Sequence, residues 1–262
     1  MLRNASKLKG FTIRARDGEL GIVEHFYFDD ESWAVRYMVA NAGDWLGGRL
    51  VLVSPLALRQ VNWQSRLLDV SMTKKQVQDS PPIDTHKPVS RQHEAMHLGY
   101  YGYPYYWAGL SDSAAVEVQR EAVAEAINAQ AQPQLESADS HLRSTLEVTG
   151  YHIEASDGEI GHVNDFIVDD ESWAIRYLEV DTQNWWPGKK VLMSPQWINR
   201  VSWPDSKVYV DLTRETIENG PGWDDTIPVT REYEERLYHY YARSPYWAPV
   251  ADRGHAQSVG KG

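Results

Sequence analysis

The sequence predicts a mainly β fold: two tandem copies of one module of about six short strands, a small barrel or sandwich. The first observation behind this is an internal repeat. Asp29-Asp30-Glu31-Ser32-Trp33-Ala34-Val35-Arg36-Tyr37 returns 140 residues on as Asp169-Asp170-Glu171-Ser172-Trp173-Ala174-Ile175-Arg176-Tyr177. Asp17-Gly18-Glu19 matches Asp157-Gly158-Glu159, Ser54-Pro55 matches Ser194-Pro195, and Trp63 matches Trp203, with no gap needed. The second observation is the run of short apolar-alternating segments, each closed by turn residues. The third is composition. With 42% hydrophobic and 24% charged residues in 262, the chain fits a folded protein of two modest domains.

The elements follow in order. Phe11 to Arg16 alternates, and Asp17-Gly18 supplies a hairpin turn into a strand over Gly21 to Phe28. Asp29 to Ser32 is a polar turn, and the third strand runs from Trp33 to Ala40. A glycine-rich bend at Gly43 to Gly48 precedes a fourth strand, Arg49 to Val53, which Ser54-Pro55 stops. Two more strands cover Ala57 to Trp63 and Leu67 to Met72, and Thr73 caps a single helical turn. The second copy repeats each element. The predicted organisation is module one over 1–82, an aromatic appendage over 83–110, a helical linker over 111–140, module two over 141–222, a second appendage over 223–250 and a disordered tail over 251–262. Ser90 is the expected cap of a short helix in the first appendage.

Charge and cysteine count narrow the function. The formal net charge is −11, which opposes the basic surface of a nucleic-acid binder and disfavours docking on anionic lipid. There is no cysteine, so disulfides, thiolate nucleophiles and Cys-type zinc sites are excluded. No stretch is long and apolar enough to span a bilayer, and Met1 to Lys9 has no apolar signal core, so a cytoplasmic protein is expected.

Three sets of side chains are candidates for function. The sharpest motif is His93-Glu94-Ala95-Met96-His97. On a helix its histidines share a face, and the pattern is that of a zinc hydrolase with glutamate as general base. The second copy reads Tyr233-Glu234-Glu235-Arg236-Leu237 and keeps only the glutamate, so no catalytic residue, metal or cofactor is assigned. The acidic turns are read as turns, with Asp29–Arg36 and Asp169–Arg176 as structural ion pairs, because a half-buried arginine needs a carboxylate. The third set is aromatic: 11 Trp and 15 Tyr stand against 4 Phe. Rings with a polar tip suit interfaces. The repeated candidates are Trp33 and Trp173, Trp45 and Trp185, and the Tyr106-Trp107 and Tyr246-Trp247 tails.

The motif set resembles the PRC-barrel family, named for the photosynthetic reaction centre H subunit. The residues that carry the resemblance are Leu8-Lys9-Gly10, Asp17-Gly18-Glu19-Leu20-Gly21, Asp29-Asp30, Trp33 to Tyr37 and Val51-Leu52-Val53-Ser54-Pro55, with Asp157 to Gly161 and Val191 to Pro195 in the second copy. The resemblance covers about 1–82 and 141–222. It implies a compact six-stranded antiparallel barrel in each copy and a docking role, since such barrels look like docking modules and most carry no catalytic residues. The expectation is therefore a non-enzymatic protein–protein interaction module. Its partner is another protein, a second copy of the chain, or the sister module in an intramolecular pseudo-dimer. A zinc hydrolase built on His93, Glu94 and His97 is the rival, and a ribosome-associated RNA adaptor, by analogy with the ribosome maturation factor, is a third.

Overall fold

The computed structural model describes residues 1–81, 89–104, 140–182 and 189–248. The side chains of 89–93 and 140 lie outside that description, as do the tail over 251–262 and the helical linker expected over 111–140, except for residue 140, which opens a strand. The chain divides into two compact units, both mainly β.

The first unit is Leu8–Glu147. Its strands are β2 (Thr12–Ala15), β3 (Gly18–Asp29), β4 (Ala34–Asn41), β5 (Leu50–Val53), β6 (Leu58–Asn62), β7 (Leu67–Val70), β8 (Val89–Ser90) and β9 (Ser140–Ser144). The ladder order is β5-β4-β3-β2-β7-β6, and β9 pairs with both β3 and β8. Neighbours are antiparallel except β2 and β7, which run parallel with Ile13 opposite Leu68. Helix α1 (Lys74–Gln78) starts at Thr73 in a capping box with Gln76, and Asp17 also accepts from the Lys74 amide at 2.8 Å. Helix α2 (Arg91–Tyr101) follows β8, with Ser90 immediately before it.

The second unit repeats this plan over Val148–Gly262 with Met1–Lys7 added. Its strands are β1 (Leu2–Asn4), β10 (His152–Ala155), β11 (Gly158–Asp169), β12 (Ile175–Asp181), β13 (Lys190–Met193), β14 (Ile198–Ser202) and β15 (Lys207–Val210), in the order β13-β12-β11-β10-β15-β14 with β1 on β11. A short helix α3 (Thr145–Val148) leads into it. Helices α4 (Arg214–Asn219) and α5 (Arg231–Tyr240) are capped by the Thr213 and Thr230 hydroxyls.

One expected boundary is corrected. The repeat placed residues 1–82 in the first module and 141–222 in the second. Instead, the opening segment of each copy belongs to the unit of the other. The reason lies in the long strands. Along β3, β4 covers one edge from Ile22 to Asp29, whereas β2 covers only Gly18 to Ile22 of the opposite edge. The rest of that edge, Tyr27 to Asp29, takes β9, with Phe28 opposite Arg143. In the second unit β1 takes the same place on β11, with Val168 opposite Arg3.

The core follows from strand alternation. In the first unit Tyr27, Tyr37, Val39 and Leu52 of the sheet meet Leu98 of α2 and Leu142 of the exchanged strand, all buried. The long strands lie close to a neighbouring strand at Gly21 and Gly161. A Cβ at Gly21 would sit 1.9 Å from the Asn41 carbonyl oxygen, and one at Gly161 2.0 Å from that of Asp181. The third strand begins one residue later than expected. Trp33 and Trp173 occupy the turn, with φ of 54° and 57°, and β4 starts at Ala34.

Candidate interaction site

The acidic repeats build these turns. Asp29 Oδ1 accepts from both the Ser32 amide and the Ser32 hydroxyl at 2.7 Å. Asp169 accepts from the Glu171 amide at 3.2 Å and the Ser172 hydroxyl at 2.8 Å. Burial raises the Asp29 carboxyl, but the Ser32 bonds and the charges of Arg36 and His141 outweigh it and hold it below its ordinary value. The arginines bond the turn serine in both copies. Arg176 lies 3.6 Å from Asp169 and donates to Ser172 at 3.2 Å, while Arg36 donates to Ser32 at 3.0 Å and reaches Asp29 through its field.

The described aromatic candidates each make contacts within their own unit. Trp33 stacks on Phe28 at 5.2 Å, and Trp173 is buried. Trp45 donates its indole N–H to the Leu20 carbonyl at 2.7 Å, with the Lys74 ammonium 4.4 Å from its ring centre. Tyr246 lies under the Arg176 guanidinium at 4.1 Å, and Trp247 under Arg231 at 3.8 Å. Both rings also pack on Tyr238. Burial, with the Glu234 charge beside it, pushes the Tyr246 phenol up to about 12. Trp185, Tyr106 and Trp107 lie outside the described residues. The appendage helices are pinned alike in both copies: Tyr100 donates to the Gln76 carbonyl at 2.9 Å and Tyr240 to the Thr216 carbonyl at 3.0 Å.

The His-Glu-x-x-His segment falls on α2, and its described members face inward. His97 is 1% exposed, edge-on to Tyr37 at 5.0 Å and tilted on Tyr101 at 4.9 Å. Burial lowers its pKa to about 4, against a weaker opposing pull from the Leu52 backbone. Glu94 is fully buried and meets His141 Nε2 at 2.6 Å. The side chain of His93 is outside the described residues. Among the described residues no group of three or more His, Asp or Glu is placed to hold a metal ion.

Sequence reasoning missed a polar cluster in the second unit. Asp165 and Glu179 are buried side by side. Asn4 of β1 donates to Asp165 at 3.0 Å and to Glu179 at 2.9 Å, and the Ser6 hydroxyl donates to Asp165 at 2.5 Å. Asn164, Lys190 and the Trp223 indole also donate to Glu179, at 2.7, 2.9 and 3.2 Å. Burial raises the Asp165 carboxyl against the bonds from Ser6, Phe166 and Asn4. The first copy has His25 and Val39 at the corresponding positions, and that departure from the repeat was the available signal. No helix among the described residues is long and apolar enough to cross a membrane. No protein-family model matches the chain, and no curated protein matches it.

Proposed function

We propose that the chain is a non-enzymatic docking protein of the cytoplasm, built from two PRC-like barrels, that binds another protein. One observation carries the reading: the residues the two copies share serve the fold. Asp17 and Asp157 cap helices, Asp29 and Asp169 close turns, Gly21 and Gly161 admit a neighbouring strand, and Tyr100 and Tyr240 pin the appendages. The buried members of the one motif with catalytic spacing, Glu94 and His97, are turned into the first unit. The acidic surface supports a protein partner over a nucleic acid. The barrel closure and the family rest on the resemblance of the repeated motifs.

The test is affinity capture with the full chain, followed by reconstitution with the purified partner. A single protein held in stoichiometric amount through nuclease and chelator washes, and rebound when pure, is the expected result. Retention that disappears with nuclease, or zinc-dependent hydrolysis abolished by His97→Ala, overturns the reading.

A further inference from the structure

We infer that the exchanged opening segments are addressed strands: each unit is a receptor for one short peptide of this chain and discriminates against its near-twin. The two segments are chemically alike. Leu2-Arg3 and Leu142-Arg143 are identical pairs at the same place in the repeat. They dock alike: the Asp170 amide donates to the Met1 carbonyl at 3.0 Å, and the Asp30 amide to the His141 carbonyl at 2.9 Å. Arg3 reaches Asp170 at 3.5 Å, and Arg143 reaches Asp30 at 3.1 Å. Backbone pairing and this ion pair would therefore hold either segment on either edge.

Several positions break the equivalence. Ser6 bonds Asp165, and its counterpart is Leu146. β1 ends on Asn4, which bonds both Asp165 and Glu179; its counterpart Ser144 is too short to span two carboxylates. On β9 the residue that meets Glu94 is His141; its counterpart is Met1, which would set an apolar chain against a buried carboxylate. The acceptors differ to match. Asp165 and Glu179 correspond to His25 and Val39, while Glu234, the counterpart of Glu94, bonds Tyr177 at 2.8 Å and Arg231 at 3.1 Å. Each segment thus satisfies buried groups on its own acceptor that the other segment would leave short of a bond. Specificity arises from the polar mismatch and attraction from the shared strand.

The test uses the full chain carrying Asn4→Asp, which sets a third carboxylate against Asp165 and Glu179 and frees the acceptor. Two labelled synthetic peptides, of sequence 1–8 and 141–148, are titrated against it by fluorescence anisotropy. One equivalent of peptide 1–8 is expected to bind at least about tenfold more tightly than peptide 141–148, the worth of one or two charge-assisted bonds. Equal affinity for the two peptides overturns the inference, as does a natively folded variant that takes up neither. If Asn4→Asp fails to fold, Asn4→Ser in the full chain serves with hydrogen exchange as the readout. The Asp170 amide should then exchange about tenfold faster while the Asp30 amide keeps its rate. No change at Asp170 overturns the inference.

Discussion

Glu94 and His141 stand 47 residues apart and meet at 2.6 Å, both buried, across the join between helix α2 and the exchanged strand β9. Their contact ties the appendage to the strand that completes the first unit. Removing one member of a buried pair leaves the other in a low-dielectric site with its bond lost. His141→Ala is therefore expected to destabilise the first unit by about 3 kcal/mol. Glu94→Gln with His141→Ala should recover part of that loss. Urea denaturation of the single and double variants measures the coupling, and additive losses would show that the contact contributes nothing.

His97 predicts acid sensitivity. Its folded pKa is about 4 against an ordinary 6.5, because burial disfavours the charged ring. Between those values the unfolded chain binds a proton that the folded chain does not. Stability therefore falls as pH drops through that window, by about 3 kcal/mol at its lower end. The second copy has Leu237 at this position. His97→Leu should flatten the loss between pH 6.5 and 4 and leave stability at pH 8 within about 1 kcal/mol of the parent. An unchanged pH slope would place the acid sensitivity elsewhere.

The close-approach glycines predict sharp intolerance. Gly21 has φ of 149° and Gly161 of 148°, and any Cβ would meet a backbone carbonyl at about half a normal contact distance. The backbone must move, so Gly21→Ala and Gly161→Ala should each cost about 3 kcal/mol or more and loosen the unit that carries the change. Hydrogen exchange along β4 for the first variant and β12 for the second checks the localisation.

Much of this was legible in the sequence. The run of short strands along each copy, the capped turn at Thr73 and the Asp turns follow from local chemistry that acts over a few residues, whereas the parallel pairing of β2 with β7 does not. The exchange of opening segments was not legible, because Leu2-Arg3 and Leu142-Arg143 offer the same pattern to either edge. A repeat aligned to itself cannot say which copy a strand completes. The Asp165–Glu179 cluster was hidden for a related reason: reading the copies for what they share passes over what one alone has acquired. Trp33 and Trp173 read as strand starts in the sequence, because a bulky residue at positive φ runs against local preference.

The final prediction separates packing within a unit from assembly. Trp247 lies with Arg231 at 3.8 Å over its ring and Tyr238 edge-on at 5.2 Å, and it is half-buried. Tyr238 in turn reaches Ser194 at 3.4 Å, so the tail is linked to the stop after β13. If the ring serves its own unit, Trp247→Ala removes apolar burial and one cation–π contact, and the second unit loses about 1–2 kcal/mol. The sedimentation coefficient should then equal the parent's at every concentration tested. Tyr246→Phe is the matched control: it keeps the ring under Arg176 and should cost about 1 kcal/mol, the worth of one half-buried hydroxyl beside Glu234. Denaturation of both variants, alongside sedimentation velocity, decides the matter. A Trp247→Ala chain of undiminished stability that dissociates from a parental oligomer would move this ring from the fold of its own unit to an interface with a second copy.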